Sequence, residues 1–149
     1  MFKKRRKPEI KKSYSQCGED LIVQFIFDVL GIHQPSYLDV GAYHPYQLNN
    51  TALFYSKGSR GVNVEPNFDN HALFLSERKA DTNLNMAVAG SKGELMYYQF
   101  DAATLNTLCP EEAKKTEAEG FNLVRSNHVP TDTIGSIINT HFPTGPQFL

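Results

Sequence analysis

With 149 residues, 40% of them hydrophobic, the chain has the size of one domain and can bury roughly two-thirds of its unfolded surface. A mean hydropathy of −0.41 and the lack of any run of about 18 apolar residues argue against a membrane span. The basic opening is followed by no apolar segment of the secretory kind, so a cytoplasmic location is expected.

Charge is unevenly placed. Lys3, Lys4, Arg5, Arg6, Lys7, Lys11 and Lys12 supply 7 of the 15 basic residues, leaving the rest of the chain with 8 basic and 15 acidic residues, a net of −7. Such a block can touch an acidic membrane surface or nucleic acid, but at a terminus it is more often a solvated tail. Residues 1–12 are therefore expected as a flexible basic tail and residues 13–149 as the folded domain. The acidic body argues against nucleic acid as a partner, because duplex binding needs basic side chains spread over a folded face. Cys17 and Cys109 form no C-x-x-C pair, and the five histidines are scattered. No metal site is indicated, and reduced structural thiols are expected.

In chain order, Leu21, Ile22, Phe25, Ile26, Val29 and Leu30 share one helical face, with Glu19 and Asp20 in the first turn and Gly31 to close it; that face should cover a sheet. Tyr37-Leu38-Asp39-Val40 reads as a buried strand ending in a turn at Gly41. Thr51 to Lys57 reads as a helix with Leu53 and Phe54 inward, capped by Asn49 or Asn50 and closed by Gly58. A second strand runs from Gly61 to Glu65 and is broken by Pro66. Phe68, Ala72 and Leu75 follow at helical spacing, and Leu84 to Ala89 gives a third strand. This alternation predicts an α/β fold with a Rossmann-like, doubly wound sheet.

The turn Gly90-Ser91-Lys92-Gly93 leads into a strand from Glu94 to Phe100, expected as an antiparallel hairpin extension. Glu111 to Glu119 is polar nearly all round, a marginal surface helix or a loop. Leu123-Val124 and Val129 suggest another strand, followed by a short helix carrying Ile134, Ile137 and Ile138 with Asp132 as its N-cap. Gln147-Phe148-Leu149 opens an apolar strand and stops, so the sheet is expected to be incomplete at this end. An unfinished sheet implies low stability and self-association through its edge.

Open parallel sheets bind ligands beyond the carboxyl ends of their strands, which directs attention to Asp39–Tyr46, Glu65–Asn67 and Asn85–Ala89. The first turn has one glycine where a dinucleotide fingerprint has three. S-adenosylmethionine carries no phosphate and needs one tight turn, for which Gly41 provides the backbone freedom. Asp39, at the strand end, can bond the cofactor's amino group. Glu65, 24 residues after Gly41, can accept from both ribose hydroxyls of an adenosine-containing ligand. Asn85 is the polar residue at the third strand's end that can contact adenine. No residue is singled out as a catalytic base.

Tyr14-Ser15-Gln16 with Gly18-Glu19-Asp20, Leu38-Asp39-Val40-Gly41-Ala42, Asn50-Thr51 with Leu53-Phe54, Gly61 to Asn67, Asn85 to Val88 and the hairpin after Gly90 occur in order. Together they resemble the FkbM family of methyltransferases. The resemblance covers nearly Tyr14 to Leu149 and implies a class I methyltransferase fold, S-adenosylmethionine as cofactor, and methyl transfer to oxygen on a small-molecule or glycan acceptor. It also implies that Ala42 belongs to the cofactor turn and that Gln16 and Glu19 close over the ligand. The family's pattern continues into an Asp-x-Glu-Gly segment that this sequence does not reach, so the chain is expected to be an incomplete fragment that binds cofactor poorly. The alternatives are a nicotinamide-binding oxidoreductase and a non-catalytic or decayed S-adenosylmethionine-binding fragment.

Overall fold

A computed structural model describes residues 10–149; residues 1–9 of the expected tail lie outside the described residues. The chain is mixed α/β. Strands β1 (Tyr37–Val40), β2 (Gly61–Val64) and β3 (Thr82–Leu84) form a parallel sheet in the order β1-β2-β3. Helices α1 (Glu19–Val29), α2 (Ala52–Ser56) and α3 (Phe68–Glu77) alternate with these strands. On the free side of β1, Phe148 bridges Tyr37 in parallel and its carbonyl accepts from the Leu38 N–H at 2.9 Å.

A second sheet has the order β4-β6-β5, built from β4 (Ala87–Val88), β5 (Gly93–Phe100) and β6 (Leu123–Asp132). β6 is parallel to β4 and antiparallel to β5. Helix α4 (Pro110–Ala118) connects β5 to β6, and α5 (Ile134–His141) follows β6.

Alternation along β1 and β2 sends side chains to two different cores. Leu38, Val62 and Val64 pack with Ile137 of α5 and Phe142 on one face. On the other, Tyr37 packs with Phe27 of α1 and Phe54 of α2. Phe27 stacks edge-on against Phe54 and Phe148, with centroids 5.9 and 6.3 Å apart. A Cβ at Gly61 would collide with the Tyr37 ring and carbonyl, so glycine is required where that ring crosses β2.

Several elements differ from their sequence reading. Helix α1 does not bury the face formed by Ile22, Phe25, Ile26, Val29 and Leu30; it buries Asp20 and Phe27. Asp20 fixes this rotation, since its carboxylate accepts from the Tyr14 N–H at 2.8 Å, the Ser13 and Ser15 hydroxyls at 2.7 and 3.0 Å, and the Leu21 N–H at 2.9 Å. In α3 the inward residue is Phe74, while Phe68, Ala72 and Leu75 are exposed.

The third strand is split, because β2 ends before Pro66 and leaves β3 without a partner after Leu84; the chain then crosses to the second sheet as β4. β5 pairs with β6 and not with the strand before it. Residues 110–118 form a true helix whose inner face buries Ala113 and Thr116. The cap of α5 is Thr133, whose hydroxyl accepts from the Ser136 N–H at 3.1 Å, while Asp132 accepts from the Thr133 N–H and the Ser136 hydroxyl. Both cysteines are exposed rather than packed in a core.

Between α3 and β3 lies a fully buried ion pair. Arg78 Nη2 is 2.8 Å from Asp81 Oδ2, with neither side chain exposed. Asp81 also accepts from the Gly61 N–H at 2.9 Å, the Asn63 amide at 3.0 Å and the Tyr37 hydroxyl, while Arg78 donates to Asn49 Oδ1 at 3.2 Å and Thr51 Oγ1 at 3.0 Å. Removing one partner of such a pair strands a buried charge. Asp81→Ala is therefore expected to lower unfolding stability by about 3–5 kcal/mol, measured by urea denaturation; a loss below about 1 kcal/mol, the size of a surface pair, would contradict this account.

Candidate functional site

Beyond the carboxyl ends of β1 and β2 lies a cavity of about 490 Å³, within the range of small-molecule sites. The first sheet contributes Gly41 and Tyr43 from the turn after β1, and Glu65 and Pro66 from the turn after β2. The opposite wall comes from the second sheet: Met86 to Val88, Tyr97 of β5, and Thr104, Asn106, Thr107 and Leu108 from the loop after β5.

The Gly41 turn is held down by its own backbone. The N–H groups of Gly41 and Ala42 both donate to the Val64 carbonyl, at 2.9 and 3.1 Å. Gly41 has φ +70°, and the space where a Cβ would stand is open. A side chain there would meet backbone strain first and the cavity second.

Glu65 is 4% exposed. Its Oε2 accepts from the Tyr43 N–H at 2.7 Å and its Oε1 from the Asn67 N–H at 2.8 Å, so the carboxylate clamps the two turns together. Each oxygen retains a lone pair for a further donor. Burial pushes the carboxyl above its ordinary value, the two N–H groups oppose that shift, and the nearby Asp39 charge adds to it. Across the cavity, burial and the Glu65 charge push the Tyr97 phenol up to about 12.

Asp39 does not line this cavity. Its Oδ2 accepts from the Thr51 hydroxyl at 2.7 Å and the Asn49 amide at 3.1 Å, and burial raises its carboxyl. It borders a smaller hollow of about 310 Å³ with Thr51, Ile134 and Phe148. Ala42 is buried, and its carbonyl accepts from the Asn49 amide at 3.0 Å.

Asn85 donates to the Glu65 and Pro66 carbonyls at 2.8 and 3.2 Å, fixing the turn after β2, while its apolar neighbours Met86, Ala87 and Val88 line the cavity instead. Gln16 is exposed, and neither it nor Glu19 is on the cavity wall. Glu19 accepts from the Cys17 N–H at 2.6 Å. Of the residues proposed from sequence, the structure thus brings Gly41 and Glu65 into one cavity, sets Asp39, Ala42 and Asn85 behind its walls, and leaves Gln16 and Glu19 outside.

Sequence reasoning missed Tyr97, Asn106 and Thr107. For Tyr97 a signal existed, since Leu95, Tyr97 and Gln99 alternate along a strand, but nothing local indicated which sheet that strand joins. Among the described residues, no Lys, Arg or His is on the cavity wall. A desolvated carboxylate, aromatic rings and aliphatic walls suit an uncharged or cationic ligand and repel phosphate. Among the described residues no group of three His, Cys, Asp or Glu could hold a metal ion, and no described helix is long and apolar enough to cross a membrane. No family model matches the chain, and no curated protein or solved structure matches it.

Two carboxylates have opposite pH signatures. Glu65 is raised in the fold, so its contribution is fully present below its ordinary 4.5 and is lost as the pH rises through the raised value. The stability deficit of Glu65→Gln should therefore shrink as the pH increases above 4.5. Burial pushes Asp20 up, but the hydrogen bonds from the Tyr14 N–H and the Ser13 and Ser15 hydroxyls outweigh it and hold its carboxyl below 3.8. Its contribution is present above 3.8 and lost as the pH falls through the lowered value. The deficit of Asp20→Asn should shrink on acidification. Thermal midpoints of both variants and the parent across pH 3–8 check both signs.

Proposed function

We propose that this chain binds S-adenosylmethionine in the cavity between Gly41 and Glu65 and serves as the cofactor-binding part of an O-methyltransferase of the FkbM type. The observation that carries this reading is a desolvated strand-end carboxylate facing a single-glycine turn in a cavity that no described basic residue lines. A dinucleotide would need a cradle for its pyrophosphate there. S-adenosylmethionine needs none, and its positive charge gains from the Glu65 carboxylate on the cavity wall. A Rossmann-like arrangement accords with the parallel order β3-β2-β1 and with the bridge of Phe148 to the far side of β1.

The spare lone pairs of Glu65 would receive the ribose hydroxyls, and Met86 and Val88 would pack against the base. The bound cofactor supplies a methyl group on a sulfonium. That methyl group would pass to an acceptor hydroxyl, with a neutral thioether as the leaving group. The acceptor class, a sugar or natural-product hydroxyl, rests on the family resemblance.

Calorimetric titration with S-adenosylhomocysteine tests the reading. Binding is expected, and Glu65→Gln should weaken it by about 1.5–3 kcal/mol, the value of a hydrogen bond to a charged group, which is roughly 10- to 150-fold in Kd. Circular dichroism at the same pH separates lost contact from lost fold. A folded chain that takes NADH and ignores S-adenosylhomocysteine would turn the assignment to an oxidoreductase.

A further inference from the structure

Helix α1 and its cap carry five large apolar side chains that the fold leaves in solvent. Ile22, Phe25, Ile26, Val29 and Leu30 are 50% to 70% exposed. At 3.6 residues per turn they form a continuous stripe about 140° wide. Single exposed apolar residues need no explanation, but a contiguous stripe of this width marks a contact surface. Along its Phe25 edge runs a groove of about 460 Å³, where Lys11, Lys12 and Lys57 stand beside one acid, Asp28. In the sequence, Lys3, Lys4, Arg5, Arg6 and Lys7 lie a few residues before this groove, while the chain after residue 12 is acidic by 7 charges.

We propose that α1, with Lys11, Lys12 and Lys57 beside it, forms a docking surface for an anionic lipid bilayer. The apolar stripe enters the boundary between headgroups and acyl chains, and the lysines meet the headgroup charge. Charge singles out this occupant. A second copy of the chain, joined through the same patch by a two-fold axis, would bring one set of lysines towards the other. A bilayer presents the opposite sign over a whole plane, and in an otherwise acidic chain the lysines at this groove favour that face towards it. Apolar area and a basic cluster are together the two signals that stable peripheral attachment requires.

Co-sedimentation of the full chain with phosphatidylcholine vesicles, with and without phosphatidylserine, tests this. Partitioning onto the phosphatidylserine vesicles is expected, falling as salt rises. Phe25→Ser combined with Val29→Ser should reduce it by roughly tenfold or more, with little change in thermal midpoint because both positions are exposed. Lys11→Glu and Lys12→Glu should each lower it by at least about fivefold. A folded chain that stays in the supernatant with phosphatidylserine vesicles overturns the proposal. Attachment that survives the serine substitutions also overturns it, because it would then be electrostatic alone, as for nucleic acid or any polyanion. So does a dimer in sedimentation equilibrium that the same substitutions dissociate, which would make a second copy the occupant.

Discussion

The Arg78–Asp81 pair is the contact on which the candidate site depends. Taking two charges out of water is unfavourable unless their remaining hydrogen-bonding groups are satisfied, and here the partners that satisfy them come from three separate segments. Asp81 reaches β1 through the Tyr37 hydroxyl and β2 through Gly61 and Asn63, while Arg78 reaches the turn before α2 through Asn49 and Thr51. The guanidinium also lies 4.8 Å from the Tyr55 ring centroid and 5.3 Å from that of Tyr37, where cation–π attraction adds to the pairing. Asn49 and Thr51 in turn bond Asp39, and Asn49 bonds the Ala42 carbonyl. A continuous polar chain therefore runs from the buried pair to the backbone beside Gly41.

Desolvation is what gives the cavity its chemical character. Glu65 keeps its carboxylate in a place where water would otherwise solvate it, and it does so by accepting from two turn N–H groups. The same residue is thus a structural clamp and the cavity's fixed acid. These roles do not conflict, because a carboxylate has about four acceptor positions and the clamp uses two. They do mean that ligand recognition and the closure of both turns share one side chain.

Strands β1 and β2 were legible in the sequence because they are short apolar runs followed by glycine or proline, and the turns that carry Gly41 and Glu65 follow from them; β3, Thr82-Asn83-Leu84, is polar and gives no such signal. The rotation of α1 was not legible. Its sequence offers two adjoining apolar stripes, and the choice was made by Asp20, an acid that looks like an ordinary helix-start residue until four donors converge on it. The buried pair was hidden for a similar reason: Arg78 and Asp81 sit in a polar stretch, and three-residue spacing alone does not distinguish a core pair from a surface one. Polarity at a strand end points equally to a ligand contact and to a turn brace, and the Asn85 amide donates to the carbonyls of Glu65 and Pro66. Tyr97 depended on a pairing between β5 and β6 that is distant in sequence.

The two sheets share no ladder hydrogen bonds; the chain passes from one to the other through Asn85 and Met86, and the cavity occupies the seam between them. What joins these two units is apolar packing, with Met86 and Val88 against the core of Leu38, Val62 and Val64. A molecule seated in the seam would touch Glu65 on one side and Tyr97 on the other, and its binding energy would enter the unfolding of both units at once. Ligand and fold would then be a single thermodynamic system, with the small molecule adding a second bridge beside the apolar core that already joins the two sheets.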